Sequence, residues 1–218
     1  MYSIEVKNLS FKYKNMKENI LNHVNFQVKA GETVAIIGQS GCGKSTLCNC
    51  LCGLIPKVYA GELSGDVFIY GENIKNLSHA EIVRRIGIIF QNPATQLFSP
   101  TIEDELAFGP ENLCIDREEI DFRMKKILKA INMEEYRYDN PNNLSGGQQQ
   151  LIAIASVLML KPSILICDEI MSWIDKEGKE IIKNLLLKLK DEGKTIILVD
   201  HEVENIQLAD RIIHLGEK

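Results

Sequence analysis

Gly38-Gln39-Ser40-Gly41-Cys42-Gly43-Lys44-Ser45-Thr46 fits the pattern G-x-x-x-x-G-K-[ST]. In such a stretch the glycines let backbone N–H groups close around a phosphate chain, Lys44 reaches the outer phosphates, and the Ser45 hydroxyl suits Mg2+. Thr46 is read as the start of the following helix, whose positive end faces the phosphates, with its hydroxyl placed for the inner one. A second chemical pair, Asp168-Glu169, follows the apolar run Ile164-Leu165-Ile166-Cys167. A carboxylate ending a buried strand needs a cation, and beside a phosphate loop that cation is Mg2+, met directly or through water. Glu169, the next residue, points elsewhere. Phosphoryl transfer asks for positioning and charge neutralisation rather than covalent chemistry, and these residue types supply both.

The elements that must hold these groups are legible as apolar segments at Ile4 to Val6, Thr33 to Ile37, Val67 to Tyr70, Gly87 to Phe90, Ser163 to Cys167, Thr195 to Val199 and Arg211 to Leu215. Several are continuous β-branched runs, the pattern of parallel strands covered on both faces, so the fold class is α/β. Ser78-His79-Ala80-Glu81 reads as a capping box opening a short helix. Asp116 to Met133 carries Ile120, Ile127, Leu128 and Ile131 at helical spacing, within a helical block from Thr101 to Asn140. The turn-forming run Asp139 to Asn143 then delivers Leu144-Ser145-Gly146-Gly147-Gln148, where Ser145 caps a helix through Ala153, Ile154, Val157 and Leu158.

Length and composition narrow the classes. The 218 residues are 45% hydrophobic and 25% charged, enough for a substantial core in one domain with a helical insertion. A net charge of −5 gives no basic footprint, so no nucleic-acid partner is expected. Met1 to Lys7 lacks a signal-peptide pattern, and the longest strongly apolar run, Leu151 to Leu160, is half a membrane span; both point to a soluble, cytosolic chain. The six cysteines then read as free thiols. Cys48, Cys50 and Cys52 alternate along one helix, so their sulfurs cannot converge on one ion and are read as small apolar side chains.

The phosphate loop, the Leu-Ser-Gly-Gly-Gln stretch and an apolar strand ending in Asp-Glu, in that order, resemble the ATPase subunit of ABC transporters over nearly the whole chain. The resemblance implies a P-loop NTPase fold with a mostly parallel core sheet, an antiparallel β subdomain and a helical insertion. The core would comprise 1–90 and 144–218, and the glutamine loop and helical part roughly 91–143. Phe90-Gln91-Asn92-Pro93-Ala94-Thr95-Gln96-Leu97-Phe98-Ser99-Pro100 and its continuation to Asn112 resemble the energy-coupling factor (ECF) branch, importers of vitamins or transition-metal ions.

For the site, the resemblance implies ATP and Mg2+ as ligands. Glu169 would be the general base, Gln91 would touch Mg2+ and the water, and His201 would contact the γ-phosphate. Tyr13 would lie against the adenine. Ser145, Gly146, Gly147 and Gln148 would cap the γ-phosphate held by a second ATPase subunit, homodimeric or heterodimeric, and Asp175 would cross that interface. Membrane subunits would dock near Gln91 to Phe108, holding the chain at the inner face of the membrane, and substitution of Gln96 or Leu97 would uncouple transport. A soluble ATPase acting on nucleic acid or serving as a non-transport regulator is the competing reading, although its usual coiled-coil insertion or fused second half does not fit in 218 residues.

The sequence departs from the family pattern at several points. Asp168-Glu169-Ile170-Met171-Ser172-Trp173-Ile174-Asp175 replaces the usual Asp-Glu-Pro-Thr-Ser-Ala-Leu-Asp, which bears on packing across the dimer. Leu151 stands where Arg is common, and Asp200 where Thr or Ser is frequent. The chain stops at Lys218, where ECF-type ATPases continue into a further segment.

Overall fold

The computed structural model describes residues 1–172, 174–200 and 203–216. Four strands, β1 (Tyr2–Tyr13), β2 (Leu21–Lys29), β4 (Gly61–Ile69) and β5 (Glu72–Asn73), form an antiparallel sheet in the order β2-β1-β4-β5. Five more, β3 (Thr33–Ile37), β6 (Ile86–Ile89), β7 (Ile164–Asp168), β8 (Thr195–Val199) and β9 (Arg211–His214), form a parallel sheet in the order β6-β7-β8-β3-β9. The helices are α1 (Lys44–Leu51), α2 (Leu54–Lys57), α3 (His79–Arg85), α4 (Ile102–Asn112), α5 (Arg117–Ala130), α6 (Gly146–Leu158), α7 (Lys176–Asp191) and α8 (Val203–Ile206).

The continuous apolar runs of β7 and β8 have a direct cause. Alternate side chains face opposite sides of the sheet, and each side has its own core. Ile164, Ile166, Ile197 and Val199 pack with Leu47 and Leu51 of α1 and with Ile4, Val6, Phe11 and Val67 of the antiparallel sheet. Leu165, Cys167, Ile196 and Leu198 pack with Leu106, Met124, Leu128, Ile152 and Ile182 of α4 to α7. Truncating one of these fully buried residues to Ala would cost about 2–5 kcal/mol.

The structure extends the sequence reading at several elements. β1 runs past Val6 and β4 starts before Val67, because their antiparallel pairing continues through Ser10–Ser64, Phe11–Leu63 and Tyr13–Gly61 beyond an irregularity between Lys7 and Ser10, whereas Tyr70, at a positive φ of 51°, lies outside β4. β2 was not anticipated. Its Val24-Asn25-Phe26-Gln27-Val28 alternates apolar with polar, the pattern of a half-covered antiparallel strand. α1 starts at Lys44, not Thr46, with Gly43 as its N-cap at φ 102°. Both halves of the capping box are present at Ser78 and Glu81.

Candidate nucleotide site

The phosphate loop leaves the end of β3 and turns directly into α1, so the orphan N–H groups of the first helical turn face the loop. Two glycines are demanded by geometry. A Cβ on Gly38 would lie 2.6 Å from the Leu215 carbonyl oxygen, and Gly43 combines its positive φ with the Ile20 carbonyl 2.9 Å from where a Cβ would sit. Lys44 is 8% exposed and folds back over the loop, its Nζ donating to the carbonyls of Gly38 at 3.0 Å and Gln39 at 3.2 Å. Gln39, Ser40, Gly41 and Ser45 are exposed, and Cys42 is half-buried. Thr46 is buried, its hydroxyl 3.1 Å from that of Tyr13, whose ring stands edge-on to Phe11.

Asp168 and Glu169 diverge because the backbone turns sharply between them. Asp168 continues the ladder beside Val199, whereas Glu169 adopts a left-handed φ of 50°, a conformation costing a non-glycine residue about 1–2 kcal/mol. The Glu169 N–H donates to the Val199 carbonyl at 2.8 Å, which holds the turn. Asp168 is 5% exposed. Burial pushes its carboxyl above the usual carboxylate range, the Ser45 hydroxyl bonded to it acts the other way, the Glu169 charge adds to the rise, and Lys44 opposes it. Glu169 lies 3.9 Å from Lys44 Nζ through Oε1 and accepts from Gln91 Nε2 at 2.8 Å through Oε2. Lys44, Ser45, Asp168, Glu169 and Gln91 are therefore one connected constellation.

Gln91 owes its place to two glutamines that the sequence reading did not assign to this task. Gln96 accepts from the Phe90 N–H at 3.3 Å and donates to the Ile88 carbonyl at 3.5 Å, supplying the outer edge of β6 with a side chain in place of a strand. Gln150, 3% exposed on α6, donates to the Phe90 carbonyl at 3.1 Å. A signal for Gln150 existed: it is a polar residue on the same helical face as the buried Ala153 and Ile154. Gln96 thus braces the strand end, so its replacement bears on Gln91. The exposed feature of the 91–108 stretch is aromatic: Phe98 and Phe108 are 65% and 50% exposed and meet edge-to-face at 4.8 Å. Buried Glu105 fixes this loop by accepting from the N–H groups of Phe98 at 3.0 Å and Ser99 at 2.9 Å.

Ser145 and Gly146 are exposed at the start of α6. The Ser145 hydroxyl accepts from the Gln148 N–H at 3.3 Å, and Gln148 Oε1 accepts from the Ser145 N–H at 3.0 Å, a complete capping box. Asp175, also exposed, caps α7 by accepting from the Gly178 N–H at 2.8 Å. Ser145, Gly147, Gln148 and Asp175 line one cavity of about 210 Å3. Gly146 and Gln91 border another, with Asn92, Pro93 and Gln149. His201 and Trp173 lie outside the described residues.

Cys48 and Cys50 of α1, and Cys52 at its C-cap, are packing residues. Cys48 and Cys50 are buried, and burial raises the thiols, Cys50 to about 12 and half-buried Cys52 to about 11, so all three are protonated at neutral pH.

A lysine-bearing phosphate loop at a helix N-terminus, an acid pair at the end of the neighbouring strand and a glutamine on the second acid define a nucleoside triphosphatase. The ABC transporter family profile matches residues 21–172, and the chain belongs to that family as its ATP-binding, ATP-hydrolysing subunit. It is 47% identical over 215 residues to a putative ABC transporter ATP-binding protein of Pyrococcus abyssi, covering 98% of this chain and 77% of that one. A Methanosarcina acetivorans relative is 44% identical over 96% of this chain, which spans only 33% of its length. The energy-coupling factor transporter ATP-binding protein EcfA1 of Ligilactobacillus salivarius is 41% identical, over 98% of this chain and 74% of that one. Among solved structures, cbiO1 from Clostridium perfringens, part of the ABC transporter complex cbiONQ, superposes with a TM-score of 0.82 at 32% identity, covering 98% of this chain and 84% of that one. The dimeric ABC transporter cassette MJ0796 gives 0.84 at 33% identity, covering 97% and 94%.

Proposed function

We propose that the chain powers an importer of the ECF kind, for a vitamin or a transition-metal ion, as one of two ATPase subunits beneath membrane partners. The likeness to EcfA1 and to cbiO1 supports the branch, and the dimeric relative supports the pairing. The observation that carries the chemistry is the 2.8 Å contact of Gln91 with Glu169 beside Lys44.

On ATP binding, Lys44 exchanges its two loop carbonyls for phosphate oxygens, and the α1 N-terminus adds its N–H groups. Tyr13, hydrogen-bonded to Thr46 beside the phosphate loop, would lie against the adenine, a reading its neighbourhood supports. The Ser45 hydroxyl and the Asp168 carboxylate form an oxygen donor set suited to Mg2+, and the buried, unfavourably solvated carboxylate fits a site completed by a cation. Mg2+ held by Ser45 and Asp168 would supply neutralisation of the phosphate charge. Glu169 accepts the proton of the attacking water while Gln91 holds both in line, giving ADP and phosphate. Ser145, Gly147 and the α6 N-terminus would close over the γ-phosphate of the partner chain, with Asp175 crossing the interface. ATP then favours the closed dimer by its differential affinity, and hydrolysis releases it.

The exposed Phe98–Phe108 pair supports docking of a membrane subunit near Gln91 to Phe108. Among the described residues no helix is long and apolar enough to cross a membrane, in keeping with a peripheral place at the inner face. The test is Glu169→Gln: it should bind MgATP, hardly hydrolyse it, and accumulate as a dimer on sizing. A monomer at saturating ATP, alone and with candidate partner ATPases, contradicts the proposal.

A further inference from the structure

A groove at the far end of the parallel sheet takes no part in this chemistry. It is bordered by Pro162 and Lys194, just before β7 and β8 begin, whereas the phosphate loop follows the finishing end of β3 in the same parallel sheet. One wall is α5 and the other is the second half of α7. Ile127, Leu158, Leu185 and Leu189 line the floor of a cavity of about 200 Å3.

The rim is cationic. Arg123, Lys126, Lys161, Lys188 and Lys194 line it against one carboxylate, Glu192, on a chain whose net charge is −5. Glu119 compensates two of the five, pairing with Arg123 at 2.6 Å and Lys161 at 2.7 Å. Among the described residues no carboxylate pairs with the exposed Lys126 or Lys188. A recessed aliphatic floor inside a cationic rim complements a ligand that is both carboxylate-bearing and aliphatic. The recess favours a narrow projecting segment over the plane of a lipid headgroup layer. The lining has no aromatic side chain, so it offers nothing for nucleic-acid bases to stack on.

We infer that this groove docks an acidic amphipathic segment of a partner protein, its aliphatic side chains on Ile127 and Leu189 and its carboxylates on Lys126 and Lys188. An occupant would join α5 to α7, and its binding requires no nucleotide.

The test is fluorescence anisotropy of a labelled peptide carrying Glu and Leu at helical spacing, titrated with the full chain at low salt. The expected result is saturable binding that weakens at least tenfold with Lys126→Glu plus Lys188→Glu, and equally when serine replaces leucine in the peptide. Lys17→Glu plus Arg84→Glu, the same charge change elsewhere, should leave it within twofold. Absence of saturable binding, equal loss in both double variants, or equal affinity for a Lys/Leu peptide would overturn the inference. So would binding to phosphatidylserine vesicles without binding to the peptide.

Discussion

Gln150 donates to the backbone carbonyl of Phe90 at 3.1 Å, which ties the helix opened by Ser145 to the residue immediately before Gln91. Gln91 in turn rests on Glu169. A displacement of α6 would reach Glu169, the proposed base, through the buried Gln150 amide, the Phe90–Gln91 backbone and the Gln91 side chain.

Gln150→Leu keeps much of the side-chain volume but leaves the Phe90 carbonyl without its donor. The expected outcome is a fall in kcat of at least tenfold with KM for ATP within twofold, because Lys44 and Ser45 are untouched. Steady-state ATPase assays, with a thermal melt to confirm folding, check this. A rise in KM with kcat unchanged would place Gln150 in ground-state binding instead.

Asp168→Asn should stabilise the ligand-free protein and abolish Mg2+-dependent hydrolysis. Burial raises the folded-state pKa of Asp168 above its unfolded value, so the penalty for the charged form is absent below the unfolded pKa and develops as pH rises through the folded one. The Tm advantage of the variant should therefore be largest at neutral pH and shrink as pH falls through the carboxylate range. Each kcal/mol relieved would raise Tm by about 2–4 °C.

Ser145 caps α6 and, in the proposed dimer, also meets a phosphate; two substitutions separate these roles. Ser145→Ala loses the cap and should cost about 1 kcal/mol, read as a lower Tm. Ser145→Asp keeps a capping oxygen but sets a negative charge against a phosphate. It should melt with the parent yet fail to form an ATP-dependent dimer on sizing; normal dimerisation would remove Ser145 from the phosphate contact.

Much of the site could be read from residue types and spacing, because its chemistry is carried by short contiguous stretches. Lys44, Ser45, Asp168 and Glu169 come together at the strand ends their motifs mark, and Gln91, assigned only through the family resemblance, joins them through Glu169. The parts not legible depend on distant partners. Gln96 and Gln150 act on Phe90 through a strand edge that no local pattern announces. The left-handed turn at Glu169 is held by a carbonyl thirty residues on. β2 is illegible for a different reason: its Val24 to Val28 alternation is short and half-exposed, and only pairing with β1 makes it a strand.

The cysteines provide a check on packing. Cys114 is exposed and should react with a thiol reagent at once, whereas Cys48, Cys50 and Cys167 should react only on unfolding, being buried and held protonated. Cys42, half-buried in the phosphate loop, should be shielded by MgATP. Labelling followed by peptide mass mapping distinguishes the classes.

In the proposed dimer the Ser145 turn of one chain completes the triphosphate site of another. The most direct measurement is a structure of Glu169→Gln trapped with MgATP. The expected result is the Ser145 hydroxyl and Gly147 N–H of one copy, or of a paired ATPase, against the γ-phosphate bound by Lys44 of the other. A trapped complex whose Ser145 turn touches no phosphate would contradict it.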